Sequence, residues 1–303
     1  MARRKIPAAA WPFRLSPDTP PDRVAEIREG VAALDSAAQY GWGHSIDFGP
    51  FRKQGLLGDN YLDVAGMLDE WGWWPDDLSG MRVADVGCFT GGLSLLMAAR
   101  GPSIVYAIDE VGAHLDQAVF LAEVFEQTSV RAVKASVYDL IDHIPENSLD
   151  LVLLSGVLYH LGDMLLGLHI LRRLLKPDGL LLIESNAVND NKRSFANFGR
   201  FYRGMWWQPS GLCISDMCEF MGFNRAEVRF YGPDRCLART RRSSDEDIPF
   251  KRGLNWHFES LADAQFRSTD PGIMAPVRSY ANWKHFLRGL PRKVSRRLRL
   301  PRS

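Results

Sequence analysis

Residues 83–92 read Val-Ala-Asp-Val-Gly-Cys-Phe-Thr-Gly-Gly (VADVGCFTGG), a short apolar run that leads into a glycine-rich turn. In dinucleotide-binding folds such a turn follows a buried strand, and its second glycine lets the backbone approach a pyrophosphate. Phe89 stands at that second position, where its side chain obstructs the approach. The turn therefore indicates a ligand that lies across it without placing a phosphate there.

Around this turn, strand-like and helix-like segments alternate. Strands that alternate with helices predict a parallel sheet that is covered by helices on both faces. Two later apolar runs flank the turn Gly-Pro-Asp and predict an antiparallel hairpin at one edge. The strand-like runs are residues 82–86, 103–109, 130–136, 149–156, 179–185, 225–232 and 235–242. The sequence thus predicts an α/β fold with a seven-stranded, mostly parallel sheet.

The flanks of this region differ from it in pattern. Residues 1–78 contain two segments with helical spacing and predict an N-terminal helical extension, and residues 79–240 contain the sheet. Residues 241–303 form a C-terminal extension whose last part, 284–303, has eight basic groups and no acid. Residues 1–283 then have a net charge of −7. Such a basic tail attracts phosphates of nucleic acid or of anionic lipid, although a disordered solubilising tail is the alternative.

Composition restricts the class of protein. Hydrophobic residues make up 46% and charged residues 24% of the chain, as in soluble globular proteins. We expect no membrane span, because no apolar run reaches about 18 residues, and no secretory signal. The four cysteines show no spacing that is typical of zinc ligands, and no compact cluster of acids suggests a metal. We therefore expect a cytoplasmic protein that has no metal and that contacts a membrane peripherally through its tail.

An acidic residue follows the glycine turn at an informative distance. Asp109 ends the second strand-like run, 22 residues after Gly87. A carboxylate at this place can accept hydrogen bonds from both hydroxyls of a ribose. A solvated aspartate at a strand end is the alternative, but the spacing from Asp85 and Gly87 favours a ligand. A ribose without a phosphate points to S-adenosylmethionine.

Over residues 79–240 the sequence resembles the class I S-adenosylmethionine-dependent methyltransferases, which have a Rossmann-like sheet. The resemblance implies that the glycine turn holds the methionine part of the cofactor, that Asp109 binds the ribose, and that the loop Ser136–Tyr138 covers the adenine. The motifs that carry it are DVGCFTG (85–91), AID (107–109), SVYDL (136–140), DLVLLSGVLYHL (150–161) and LLKPDGLLLIES (174–185). The cofactor-binding residues implied are Asp85, Gly87, Phe89, Gly91, Asp109, Ser136, Val137, Tyr138 and Ser155.

A narrower resemblance is to the tRNA wobble-uridine carboxymethyltransferases and their relatives. It rests on GVLYH (156–160), a glutamate at the end of the fifth strand, YRGMWWQPS (202–210) and CEFMGF (218–223). That family uses carboxy-S-adenosylmethionine, whose carboxylate needs cationic partners, and its pattern has an arginine directly after GVLYH. Leu161 stands there in this chain. The departure favours ordinary methyl transfer from S-adenosylmethionine.

Three residues at the strand ends are candidates for catalysis. His160 could take a proton from a hydroxyl or an amine, or it could cap the junction between strand and helix. Tyr159 matches a family position that lines the methyl-donor site, although it could pack in the core. Glu184 could bind the methionine ammonium or the substrate, or hydrogen-bond local backbone.

The segment 198–211 mixes arginines and aromatic residues where a lid over the substrate would lie. Such a mixture can stack a base or a sugar ring, and simple packing of Trp206 and Trp207 under the lid is the alternative.

Two acceptor classes remain open. The first is an O or N of a small molecule, a glycoconjugate or a lipid-linked precursor. The second is tRNA, which the acidic body disfavours because an RNA reader should have a basic face. A methyltransferase-like protein that has lost its chemistry is a third reading, and intact Asp85, Gly87, Gly91 and Asp109 count against it. The acceptor atom, the oligomeric state and the pathway do not follow from the sequence.

Overall fold

The computed structural model describes residues 8–202 and 204–244. The basic tail predicted at residues 284–303, with the rest of the extension from residue 245 onward, lies outside the described residues.

Eleven strands run through the described chain. They are β1 (Ile46–Asp47), β2 (Arg52–Lys53), β3 (Arg82–Val86), β4 (Ile104–Asp109), β5 (Val130–Lys134), β6 (Leu149–Ser155), β7 (Leu175–Asn186), β8 (Ala196–Tyr202), β9 (Met205–Pro209), β10 (Glu227–Phe230) and β11 (Arg235–Arg241). Seven of them form one sheet in the order β10-β11-β7-β6-β3-β4-β5. Strands β3 to β7 pair in parallel, and β10 and β11 add an antiparallel edge hairpin. The predicted seven-stranded Rossmann-like sheet is confirmed.

Helices cover both faces of this sheet. They are α1 (Pro21–Ala37), α2 (Asn60–Glu70), α3 (Gly92–Ala98), α4 (Gly112–Val124), α5 (Met164–Leu174) and α6 (Gly211–Phe220), with 3₁₀ turns at Val137–Asp142 and Leu158–His160. Side chains of β6 alternate between two apolar layers, as a strand that is buried on both faces requires. Leu151 and Leu153 join the layer under α1 to α4, whereas Val152 and Leu154 join the layer under α5 and α6.

The N-terminal extension packs into the first of these layers. Ile27 and Val31 of α1 share a buried cluster with Val83 of β3 and Leu93 of α3. Helices α1 and α4 approach closely at Gly30, where an added Cβ would lie 2.6 Å from the ring of Phe120. The extension and the sheet thus share one hydrophobic core, and the division at residue 78 stays a prediction from sequence pattern.

Two segments differ from their predicted form. The apolar spacing of residues 164–177 predicts one helix that ends at Pro177, whereas helix α5 ends at Leu174. The residue before a proline avoids helical geometry, which favours this earlier end. Leu175 instead begins β7 and pairs with Leu149. The expected lid is an antiparallel hairpin of β8 and β9, which the sequence did not indicate as strands.

Candidate functional site

The carboxyl ends of the parallel strands meet at one edge of the sheet, where ligands bind in open α/β folds. The glycine turn begins there, directly after β3. The amides of Gly87 and Cys88 both donate to the carbonyl of Ile108, at 2.9 Å, so the turn folds back over the end of β4. Gly87 has a φ of 77°, and a Cβ on it would lie 2.2 Å from Cγ2 of Val157. Only glycine fits this position.

Phe89 occupies the place of the second glycine in a left-handed conformation, with a φ of 51°. Its amide donates to Oδ2 of Asp109 at 3.1 Å. Its ring packs edge-on against His114, with 4.3 Å between ring centroids, and against His44 at 5.5 Å. The phenyl group therefore belongs to an aromatic wall at the turn.

Asp109 braces the turn as well as ending β4. In addition to the amide of Phe89, its carboxylate accepts from the amide of Val111 at 2.9 Å, and Nδ1 of His114 lies 3.3 Å from Oδ1. A carboxylate offers about four acceptor sites, so Oδ2 keeps capacity for one more donor. The geometry suits a ligand hydroxyl that approaches Asp109.

Asp85 lies at the end of β3, beneath the turn, and is fully buried. Its Oδ2 accepts from the hydroxyl of Ser94 at 2.6 Å, whereas Oδ1 has no hydrogen-bond partner among the described residues. Burial raises the pKa of Asp85 to about 7, and the charge of Asp109 adds to this effect. A buried carboxylate oxygen without a donor fits a cationic ligand group, such as the ammonium of an amino acid.

The loop that covers the adenine in the methyltransferases takes a defined form here. The hydroxyl of Ser136 accepts from the amide of Tyr138 at 3.4 Å and caps the 3₁₀ turn that begins at Val137. The Tyr138 hydroxyl accepts from the amide of Asp163 at 2.9 Å. This loop is thereby tied to the start of α5. Ser155 ends β6, next to Glu184 in register.

Glu184 is buried and holds a cation. Its carboxylate accepts from Nε of Arg235 at 2.7 Å, from a second nitrogen of the same guanidinium, and from the hydroxyl of Tyr231. Arg235 also donates from Nη1 to the hydroxyl of Tyr159 at 3.2 Å. The structure brings Tyr159 and Glu184 into one network that lies beside Gly156, close to the glycine turn.

His160 is exposed at the mouth of the site. Its Nδ1 lies 2.8 Å from the carbonyl oxygen of Gly204, in the turn between β8 and β9. A carbonyl only accepts, so Nδ1 carries the proton and the lone pair of the neutral ring is on Nε2.

Comparisons with known proteins agree with this geometry. A family model described as "Methyltransferase domain" matches residues 77–221. A tRNA U34 carboxymethyltransferase from Idiomarina loihiensis is 30% identical over 246 residues, which cover 76% of this chain and 70% of the relative. The chain belongs to the S-adenosylmethionine-dependent methyltransferase family that includes these tRNA enzymes. A ubiquinone biosynthesis O-methyltransferase from Neisseria meningitidis is 25% identical over 258 residues, which cover 85% of this chain and 98% of the relative.

The protein is therefore a methyltransferase with S-adenosylmethionine as its cofactor, as the sequence predicted. Within residues 8–202 and 204–244, no three histidine, cysteine or acidic side chains are grouped as a metal site would need. No helix of the same residues is long and apolar enough to cross a membrane.

The sequence did not identify the residues that fasten the N-terminal extension to the methyltransferase turn. The hydroxyl of Thr90 accepts from the amide of His44 and donates to Oε1 of Gln117, each at 3.1 Å. Gln117 in turn donates to the carbonyl of Gly41 at 3.1 Å, and Nδ1 of His44 accepts from the amide of Gly92. Burial and the neighbouring His114 lower the pKa of His44 to about 3, so this acceptor stays neutral.

We expect Gly43→Ala to loosen this contact. A Cβ at residue 43 would lie 2.0 Å from Oγ1 of Thr90 and 2.2 Å from the ring of Phe89, so the extension has to move away from the turn. Overpacking of this kind costs about 1–3 kcal/mol of unfolding free energy, which denaturant titration measures. Gly162→Ala is the matched control, because among the described residues no atom other than those of its chain neighbours lies within 4 Å of its added Cβ. Equal stability of the two variants would contradict the contact.

Proposed function

We propose that the enzyme transfers the methyl group of S-adenosylmethionine to an O or N of a small molecule, a glycoconjugate or a lipid-linked acceptor, and that a hydroxyl suits the site best. The observation that carries this proposal is the orientation of His160. Its Nδ1–H is held by Gly204, which leaves Nε2 at the exposed mouth as a proton acceptor. A hydroxyl loses a proton when it is methylated, so it gains from a base placed there.

The cofactor-binding residues are proposed from the sheet edge described above. Asp85 would take the methionine ammonium, since no donor within residues 8–202 and 204–244 reaches its Oδ1, and Asp109 would take the ribose. The turn from Gly87 to Gly91 would hold the methionine part against Phe89 and Ser155, and Ser136 to Tyr138 would cover the adenine. When bound, the cofactor supplies an electrophilic methyl carbon on its sulfonium.

The choice of donor follows from the network around Glu184. Arg235 is the cation that lies beside Tyr159, but the buried carboxylate of Glu184 neutralises it through two hydrogen bonds. Arg52, another candidate cation, pairs with Asp59. With Leu161 in place of the family's arginine, an added carboxylate on the donor would find no uncompensated charge in this network. These features support the plain cofactor over carboxy-S-adenosylmethionine.

A second candidate function is methylation of tRNA. The similarity to a tRNA U34 carboxymethyltransferase favours it. The net charge of −7 over residues 1–283 weighs against an extended RNA contact, because a protein that grips RNA neutralises several phosphates with basic side chains. The ubiquinone-related O-methyltransferase, which aligns over nearly its whole length, supports the first candidate.

Asp109→Ala should weaken cofactor binding about tenfold or more. The substitution removes a charged hydrogen-bond acceptor, and a hydrogen bond to such a group contributes roughly 1.5–3 kcal/mol to binding. It also removes the acceptor of the Phe89 amide. Titration calorimetry with S-adenosylmethionine measures the effect. Asp116→Ala, an exposed aspartate on α4, is the control and should bind as the wild type does. Wild-type affinity in Asp109→Ala would refute the ribose assignment.

His160→Gln should lower the rate of methyl transfer about 10²–10⁴-fold, because the general base is lost. The assay follows tritium from labelled S-adenosylmethionine into the lipid, small-molecule and tRNA fractions of an extract from a strain without the gene. We expect label in one of the first two fractions. His143→Gln, which changes an exposed histidine after the first 3₁₀ turn, should retain full activity. Label confined to tRNA would replace the first candidate function by the second.

Glu184→Gln should change the selectivity for the donor. The guanidinium of Arg235 would then carry an uncompensated charge, so the affinity for carboxy-S-adenosylmethionine relative to the plain cofactor should rise about tenfold. Competition binding gives this ratio, and the wild type should favour the plain cofactor. Glu227→Gln breaks an exposed ion pair with Arg229 and is the control. If Glu184→Gln is folded and its ratio of donor affinities equals that of the wild type, Glu184 does not set the donor preference by neutralising Arg235.

A further inference from the structure

The hairpin of β8 and β9 carries an unusual concentration of exposed aromatic side chains. Ten large apolar side chains are exposed among the described residues, and four of them lie within the nine residues 198–206. Phe198 is 55% exposed, Phe201 58%, Tyr202 65% and Trp206 36%. These four residues are called the aromatic hairpin surface. At roughly 200 Å² per ring they expose on the order of 400 Å², a patch size that is often functional in monomers.

The backbone of the hairpin departs from regular strand geometry so as to present this surface. Successive side chains of a strand point to opposite faces, yet Phe201 and Tyr202 are both exposed. The pairing register shifts between Phe198 and Tyr202, and Arg200 and Phe201 adopt left-handed φ values of 52° and 59°. Left-handed backbone is unfavourable for residues other than glycine, so the tip of the hairpin costs conformational free energy.

The same hairpin is joined to the catalytic mouth. Gly204, in its turn, accepts the hydrogen bond that orients His160, at 2.8 Å. Trp207 donates from its indole nitrogen to the carbonyl of Gly162 at 2.9 Å. The aromatic hairpin surface therefore lies on the element that holds the proposed base, and whatever binds the surface is brought to the acceptor side of the site.

The chemistry of the surface fits the interface of a lipid bilayer. Tyr202 and Trp206 have rings with a polar edge, a type that concentrates at the level of the lipid headgroups, and Phe198 and Phe201 add apolar area that the interface can bury. Residues 196–209 contain two arginines and no acid, which suits anionic headgroups. Stacking of RNA bases would need free ring faces, whereas Trp206 packs against Phe201 with 5.1 Å between ring centroids and against Phe198 at 6.3 Å. Two cations are also few for an RNA backbone.

We propose that the aromatic hairpin surface inserts into an anionic bilayer interface and places His160 at the level of the headgroups, where a lipid-borne acceptor reaches it. The inference rests on the proposed function for the nature of the acceptor. The insertion itself depends only on the hairpin, so it can be tested without acceptor or cofactor.

The test is cosedimentation of the full-length protein with vesicles of three parts phosphatidylcholine to one part phosphatidylglycerol. The variant is Phe201→Ser/Trp206→Ser. Its affinity for the vesicles should be lower by about tenfold at least, because two interfacial rings are lost. The matched control is Tyr40→Ser/Leu56→Ser, which removes side chains that are 61% and 65% exposed elsewhere. Phe201→Trp keeps an interface-seeking ring and should bind as the wild type does. The basic tail is identical in all four proteins, so differences between them report on the hairpin.

Calorimetry with S-adenosylmethionine should give the same affinity for all four proteins, which shows that the substitutions leave the fold and the cofactor site intact. The inference is overturned if the wild type stays in the supernatant, if the hairpin variant sediments like the wild type, or if the rings are required to retain tRNA and not vesicles. A failure of the proposed function would appear separately, as tritium confined to tRNA in the extract assay.

Discussion

A buried carboxyl group lies beneath the glycine turn, and one of its two oxygens has no hydrogen-bond partner among the described residues. Asp85 has no exposed surface, and Ser94 satisfies only its Oδ2. Removal from water raises its pKa to about 7, so near neutral pH it is divided between the acid and the carboxylate. A buried carboxylate without a full set of donors is unfavourable, and a cationic ligand group removes that cost. We therefore propose that Asp85 gives this site a preference for a cofactor that carries an ammonium.

Several hydrogen bonds fix the conformation of the turn above that carboxyl group. Asp109 holds the amide of Phe89, and Thr90 joins His44 to Gln117. The N-terminal extension is in this way fastened to the glycine turn, although it lies outside the sheet. Two hairpins reach the ends of the parallel strands: β10 and β11 supply Arg235 next to Tyr159, and β8 and β9 supply the carbonyl that orients His160. On the proposed function, the sheet edge would hold the cofactor, and the added hairpins would determine which acceptor and which donor it meets.

The sequence predicted what depends on local pattern, and it missed what depends on distant pairing. Strands β3 to β7 follow from apolar runs between turn signals, and the positions of Asp85, Gly87 and Asp109 at one edge follow from the parallel order. No local pattern shows that Arg235 meets Glu184, because 51 residues separate them and an antiparallel register decides the contact. The same holds for His44 and Thr90, which are 46 residues apart. The β8–β9 hairpin was expected only as a lid, since its irregular register hides the alternation of a strand.

The most direct test of this account is the release of a proton when S-adenosylmethionine binds. At pH 6, below the raised pKa of Asp85, most of the free enzyme has this group protonated, and a bound ammonium favours the carboxylate. Calorimetry at pH 6 in two buffers of different ionisation enthalpy should therefore show proton release, and the cofactor affinity should rise as the pH increases to about 7 and level off above it. Asp85→Asn should abolish both effects. Binding enthalpies that do not depend on the buffer in the wild type, or proton release that persists in Asp85→Asn, would contradict the account.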